Sequence, residues 1–225
     1  MKTPILLALF CAGLVSARGD TRLPALTDTV LSLAAYANLR HDMFGNSYTN
    51  LYGTADLYAN LNSINDDRAV VEFPVYRIPA GSMISSATLT ISVWAGGGTT
   101  GDVGTFRLYG YSGDSIASMA DYYDQEVLLK TFTEGVPPTY GSTSFDVTSF
   151  IQSQNNGGSL YSGFLFQALS QNVLMGFGCP GPNSFPWPTL DVKYTVVPEP
   201  AVSILFLATA ALWVRALCPH VFYQD

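Results

Sequence analysis

The chain has 225 residues, 48% of them hydrophobic and only 12% charged, and its 10 Lys and Arg against 17 Asp and Glu leave a formal net charge of −7. An acidic chain with no basic cluster argues against nucleic acid as a partner, and against electrostatic docking to anionic polymers. The abundance of Tyr, Phe, Gly, Ser and Thr suits an exported β-protein.

Met1-Lys2 and the apolar stretch ILLALFCAGLV read as the basic and apolar regions of a secretory signal peptide. Val15-Ser16-Ala17 offers small residues to signal peptidase, so residues 1–17 are the expected leader, with cleavage after Ala17. Residues 18–197 then form one domain with room for a sizeable core. Cys11 leaves with the leader and Cys218 lies near the end, so Cys179 stands alone in the domain and no disulfide framework is expected.

From Thr27 onward the hydrophobic pattern has period two. Asp28–Leu33 starts a strand, and polar loops with Gly45-Asn46 and Gly53 follow. Val71, Phe73 and Val75 alternate along a second strand. The clearest alternation is Ala87–Trp94, apolar on one face and hydroxyl-bearing on the other. Further strands are predicted at 105–111, 127–133, 162–169, 173–177 and 189–195. The last of these puts Leu190, Val192 and Tyr194 inward and Asp191, Lys193 and Thr195 outward. Helix signals are few: a short turn around Val147, Phe150 and Ile151, opened by Asp146 as a cap, and another over Asp114–Tyr123. Many short strands without a βαβ rhythm predict an antiparallel β-sandwich of the jelly-roll kind.

Three segments share a pattern with one family. They are Asp66-Asp67-Arg68-Ala69-Val70-Val71-Glu72-Phe73, with Ile78-Pro79-Ala80-Gly81-Ser82 and Ser85-Ser86-Ala87-Thr88-Leu89 after it; Phe145-Asp146-Val147-Thr148; and Pro188-Thr189-Leu190-Asp191-Val192. Together they resemble the DNRLRE-type β-jelly-roll domain of exported bacterial proteins, which is related to carbohydrate-binding modules. The residues themselves predict a corner at Ile78–Gly81 and a structural ion pair for Arg68, with a ligand contact as its alternative.

Chemistry has few places to sit. His41 is the domain's single histidine and no G-x-S-x-G elbow is present, so Ser-His-Asp catalysis is not expected. One Cys and one His cannot supply a usual zinc set. Asp121, Asp124 and Glu126 form the densest carboxylate group, a solvated loop or else a clamp for a structural calcium. Trp187 lies in a rigid Pro186-Trp187-Pro188 loop, and Tyr109 and Tyr111 share a strand face with Arg107 two residues earlier. These four are candidate glycan-binding residues, with sheet core or edge covering as the alternative.

After the last strand, Pro198-Glu199-Pro200 stops the ladder, and an uncharged run from Ala201 to Val214 ends at Arg215. As a helix this run rises about 21 Å, and continuing to Cys218 with Arg215 snorkelling brings it nearer the roughly 30 Å of a bilayer core. The segment 198–217, with a short tail at 218–225, resembles the PEP-CTERM sorting signal of Gram-negative bacteria. That resemblance implies export, transient anchoring in the inner membrane through 201–218, processing by an exosortase-type enzyme, and an association with exopolysaccharide at the cell surface or matrix. The expected function is non-catalytic contact with extracellular polysaccharide. A structural or adhesive surface protein without a glycan site is one alternative; a polysaccharide-cleaving enzyme with paired carboxylates is another.

Overall fold

Alternating residues become strands throughout the computed structural model, which describes residues 25–49, 57–97, 103–135, 141–178 and 186–197. The leader with Ala17, the motif Pro198, Glu199 and Pro200, Arg215, the run 201–218 and Cys179 lie outside the described residues. The strands are β1 (Leu26–Leu31), β2 (Ala35–Asp42), β3 (Ser47–Thr49), β4 (Leu57–Leu61), β5 (Asn65–Phe73), β6 (Met83–Gly97), β7 (Val103–Gly113), β8 (Val127–Gly135), β9 (Gly141–Asp146), β10 (Tyr161–Ala168), β11 (Val173–Phe177) and β12 (Thr189–Thr195). Among the described residues one helix, α1, covers Thr148–Asn156, and a 3-10 turn covers Val75–Arg77.

Among the described residues all the pairings are antiparallel. One layer runs β3-β2-β5-β10-β7-β8. The other runs β1-β12-β6-β9, with β11 alongside the later part of β6 and β4 beyond it. Asn60 and Leu61 of β4 also pair with Asp67 and Asp66 of β5, which joins the two layers at one corner. Between the layers, Val71, Phe73, Phe106, Leu108, Phe164 and Phe166 meet Ala87, Leu89, Ile91, Leu190 and Val192. All of these are at most 1% exposed. The all-β antiparallel sandwich is thus present, and Leu26–Val197 forms one compact unit.

The helix exists because it feeds a strand. Asp146 Oδ1 accepts the Thr148 backbone N–H at 3.0 Å and the Thr148 hydroxyl at 2.6 Å. One turn apart on the helix, Thr148 Oγ1 accepts the N–H of Ala87 at 2.9 Å and Gln152 Oε1 accepts the N–H of Ile84 at 2.7 Å. Both are β6 donors. The expected corner also forms, with the Ser82 N–H donating to Pro79 O at 3.1 Å and Gly81 at φ 72°.

Three expectations are corrected. Residues 35–42 and 47–49 are strands, not loops, and they meet at the Gly45-Asn46 turn, where Gly45 takes φ 86°. Val75 leaves β5 because Pro74 ends the ladder and starts the 3-10 turn. Residues 114–126 form no helix; they make a strap of turns across the outside of the β5-β10-β7 layer. Among the described residues no helix is long and apolar enough to cross a membrane.

Candidate functional site

The strap decides which of the candidate residues are accessible. On the outer face of its layer, Ala37, Leu39, Val70, Tyr109, Tyr111 and Leu165 form a second apolar cluster, closed from outside by Ala117, Met119 and Tyr122. Tyr109 is 7% and Tyr111 0% exposed, so neither can offer a ring face to a sugar. The shared face expected for these tyrosines is correct, and of the two readings left open for them it is sheet core that holds. Tyr111 lies against Gly163 and donates its hydroxyl to Glu72 Oε1 at 3.2 Å.

The strap is fastened largely through carboxylates. Glu72, itself 0% exposed, accepts the Ser115 N–H at 2.6 Å, and Ser115 takes the left-handed φ of 73° to make that bond. Burial pushes the Glu72 carboxyl above its ordinary range. Tyr122 donates its hydroxyl to Asp66 at 2.9 Å, while Arg68 donates to the Tyr122 carbonyl at 2.6 Å and sits 4.0 Å from the centre of its ring. Arg68 also pairs with Asp66 at 2.8 Å, the structural ion pair read from the sequence. His41 lies in β2 with its ring 5.9 Å from that of Tyr122.

Two of the three carboxylates named for calcium accept backbone N–H groups. Asp121 Oδ2 accepts the Ser118 N–H at 2.6 Å, and Glu126 Oε2 accepts the Ser112 N–H at 3.2 Å. Burial, and then repulsion by Glu126 and Asp121, raises the Asp124 carboxyl. Among the described residues no group of three or more His, Cys, Asp or Glu side chains is placed to hold a metal. Asp121 and Glu126 brace the strap through these bonds.

Trp187 sits elsewhere. Pro188 is buried and immediately precedes β12, which fixes the loop that carries the half-buried indole. Tyr36 of β2 meets it with ring centroids 4.8 Å apart and planes inclined at 55°. Ser32, Leu33, Pro188 and Thr189 complete an open cleft of about 280 Å³ around the pair. The sequence reading missed Tyr36 because its segment, Ala-Ala-Tyr-Ala-Asn-Leu-Arg, looks like a loop rich in small residues. The signal that could have found it is the alternation of Tyr36, Asn38 and Arg40 against Ala37, Leu39 and His41.

No family model matches this chain. A search of the curated proteins finds no match either. The site's chemistry therefore has to be read from its own side chains.

Proposed function

We propose that this is an exported protein of the bacterial cell surface or extracellular matrix that grips polysaccharide without cleaving it, using the Trp187–Tyr36 cleft. The observation that carries this reading is the inclined aromatic pair itself, half open to solvent and flanked by the hydroxyl-bearing Ser32 and Thr189. Aromatic faces cover the apolar C–H faces of pyranose rings, and nearby polar groups fix orientation. Among the described residues no charge lines the cleft, so it suits a neutral stretch of sugar. The leader-like first segment and the sorting-signal resemblance at 198–217 support export and passage through the inner membrane, with an exosortase-type enzyme as processing partner.

Titration of the full chain with soluble glycans, followed by intrinsic fluorescence, tests the reading. Trp187→Ala and Tyr36→Ala are each expected to weaken binding by roughly tenfold or more. A parent chain that binds no glycan overturns the proposal. One observation favours the adhesive alternative. Asp42 accepts the N–H groups of Phe44 and Asn46, and Asn62 accepts that of Ile64, bracing two neighbouring turns that hold Met43, Phe44 and Ile64 outward. These three are 66%, 76% and 50% exposed, an apolar tip that fits contact with another macromolecule. If Phe44→Ser abolishes surface adhesion while Trp187→Ala leaves it intact, the adhesive reading replaces the glycan one.

A further inference from the structure

At one end of the sandwich two turns meet, residues 43–46 between β2 and β3 and residues 62–64 between β4 and β5. The Met43 N–H ties them together by donating to Ile64 O at 2.8 Å. Around this joint the backbone serves itself. Phe44 and Asn46 donate to Asp42 Oδ1 at 2.9 and 2.8 Å, Gly45 donates to Asp42 O at 3.1 Å, and Ile64 and Asn65 both donate to Asn62 Oδ1 at 2.8 Å. Asn62 returns its own N–H to Asn65 O at 2.9 Å. Every N–H from Met43 through Asn46, and those of Asn62 and Ile64, is thus met within the chain. Backbone donors that enter an apolar phase must carry their acceptors with them, because nothing there replaces water.

Charge is turned inward as well. Asp42 is the one ionisable residue in 42–46 and 62–65, and it is buried. Besides the two N–H groups, its carboxylate accepts the Asn46 side-chain amide at 2.9 Å and the Tyr48 hydroxyl at 3.5 Å. What the turns show to solvent is therefore Met43, Phe44 and Ile64, beside uncharged Asn46, Ser63 and Tyr48. Tyrosine next to an apolar wedge suits the headgroup layer of a bilayer. Three side chains fall far short of the roughly 20–30 residues a side that a stable protein interface takes. The net charge of −7 is repelled by an anionic surface, and neither turn has a Lys or Arg to offset that. An uncharged wedge of this size fits shallow insertion, about 5–10 Å deep, into a neutral lipid surface.

We infer that the Met43–Phe44–Ile64 tip is a membrane contact that seats in the interface of a zwitterionic phospholipid bilayer. This names a lipid surface as partner of the tip on which the adhesive reading rests, and it does not depend on the glycan cleft. Strand register separates the tip from the place where the chain leaves the fold. Leu61 pairs with Val173 and Leu174 with Gly97 at the end of β6, whereas Thr195 pairs with Met83 at its start. The tip and Val197 therefore lie at opposite ends of β6, and lipid contacts at the two can be told apart.

The test mixes the full chain with phosphatidylcholine vesicles containing a small fraction of diazirine-bearing phosphatidylcholine, irradiates them, and maps the cross-linked residues by mass spectrometry. Cross-links are expected within 43–46 and 62–65, whatever contacts the residues beyond Val197 make. Phe44→Ser should reduce them by roughly tenfold or more, the effect of withdrawing one large apolar side chain. Its unfolding midpoint should equal the parent's, because the ring is exposed. Cross-links confined to other segments overturn the contact, and so does tip labelling that Phe44→Ser leaves unchanged. Labelling that appears only with anionic lipid in the vesicles overturns the neutral surface as partner. Sedimentation without vesicles covers the remaining occupant: self-association that Phe44→Ser removes would make the partner a second copy of this chain and overturn the lipid. The parent map needs neither a variant nor a glycan, so it fails or holds separately from the cleft.

Discussion

Gly163 has no side chain because Tyr111 occupies that space. A Cβ built there would lie 2.1 Å from the tyrosine Cζ, and the ring cannot withdraw while its hydroxyl donates to Glu72 under the strap. Gly163→Ala should destabilise the domain by about 1–3 kcal/mol, read as a lower denaturant midpoint with an unchanged slope. Glu72 sets a pH dependence at the same spot. Burial raises its carboxyl from the ordinary 4.5, and Asp121 and Asp124 are raised from 3.8 for the same leading reason, with Asp114 and Asp121 adding repulsion at Glu72. The folded domain thus binds these protons more tightly than the unfolded chain. Their contribution to stability is fullest below the ordinary values and declines as pH rises through the folded ones. Asp42 and Asp146 are shifted the opposite way by hydrogen bonds, but their effect falls below 3.8, outside that window. The unfolding midpoint should therefore be higher at about pH 5 than at about pH 7, and Glu72→Gln should flatten the difference. A midpoint that rises with pH across this range would contradict the assignment.

The strap is the element with the most consequence for its neighbours. Tyr122 is its main fastening, through Asp66, Arg68 and the apolar cluster beneath. Tyr122→Ala should cost about 3 kcal/mol and open residues 114–126 to limited proteolysis, with the cleavage sites mapped by mass spectrometry. The strap also explains where the sequence was legible and where it was not. In β12 one face meets the core and the other meets solvent, so Leu190, Val192 and Tyr194 alternate visibly with Asp191, Lys193 and Thr195. In β5 the strap buries the second face too. Asp67 through Phe73 are then all buried, and only Val71 and Phe73 showed alternation in the part of the strand they cover. For Tyr109 and Tyr111 the choice between ligand face and covered core stayed open for the same reason, since a covering made of turns carries no periodicity to announce itself. Trp187 was legible because two prolines mark a rigid loop, whereas its partner Tyr36 comes from a distant strand and only the fold brings them together.

At the scale of the whole molecule, β12 runs between β1 and β6, paired on both sides along nearly its full length. The proposed sugar cleft lies where this strand starts, at Trp187, and the chain leaves the fold two residues past its end, at Val197. If a glycan pulls at the first point while the tail holds the second, tension runs lengthwise along β12. That tension is carried by the covalent backbone of an already extended strand, so the ladders on either side bear none of it. Pulling between Leu26 and Val197 instead would peel β1 from β12 one pair at a time, because Leu26 faces Thr195. Single-molecule force spectroscopy should find no unfolding step in the 187–197 geometry at forces that unfold the domain in the 26–197 geometry. The strand that presents the polymer would then also be the tether, and the rest of the domain would be spared the load.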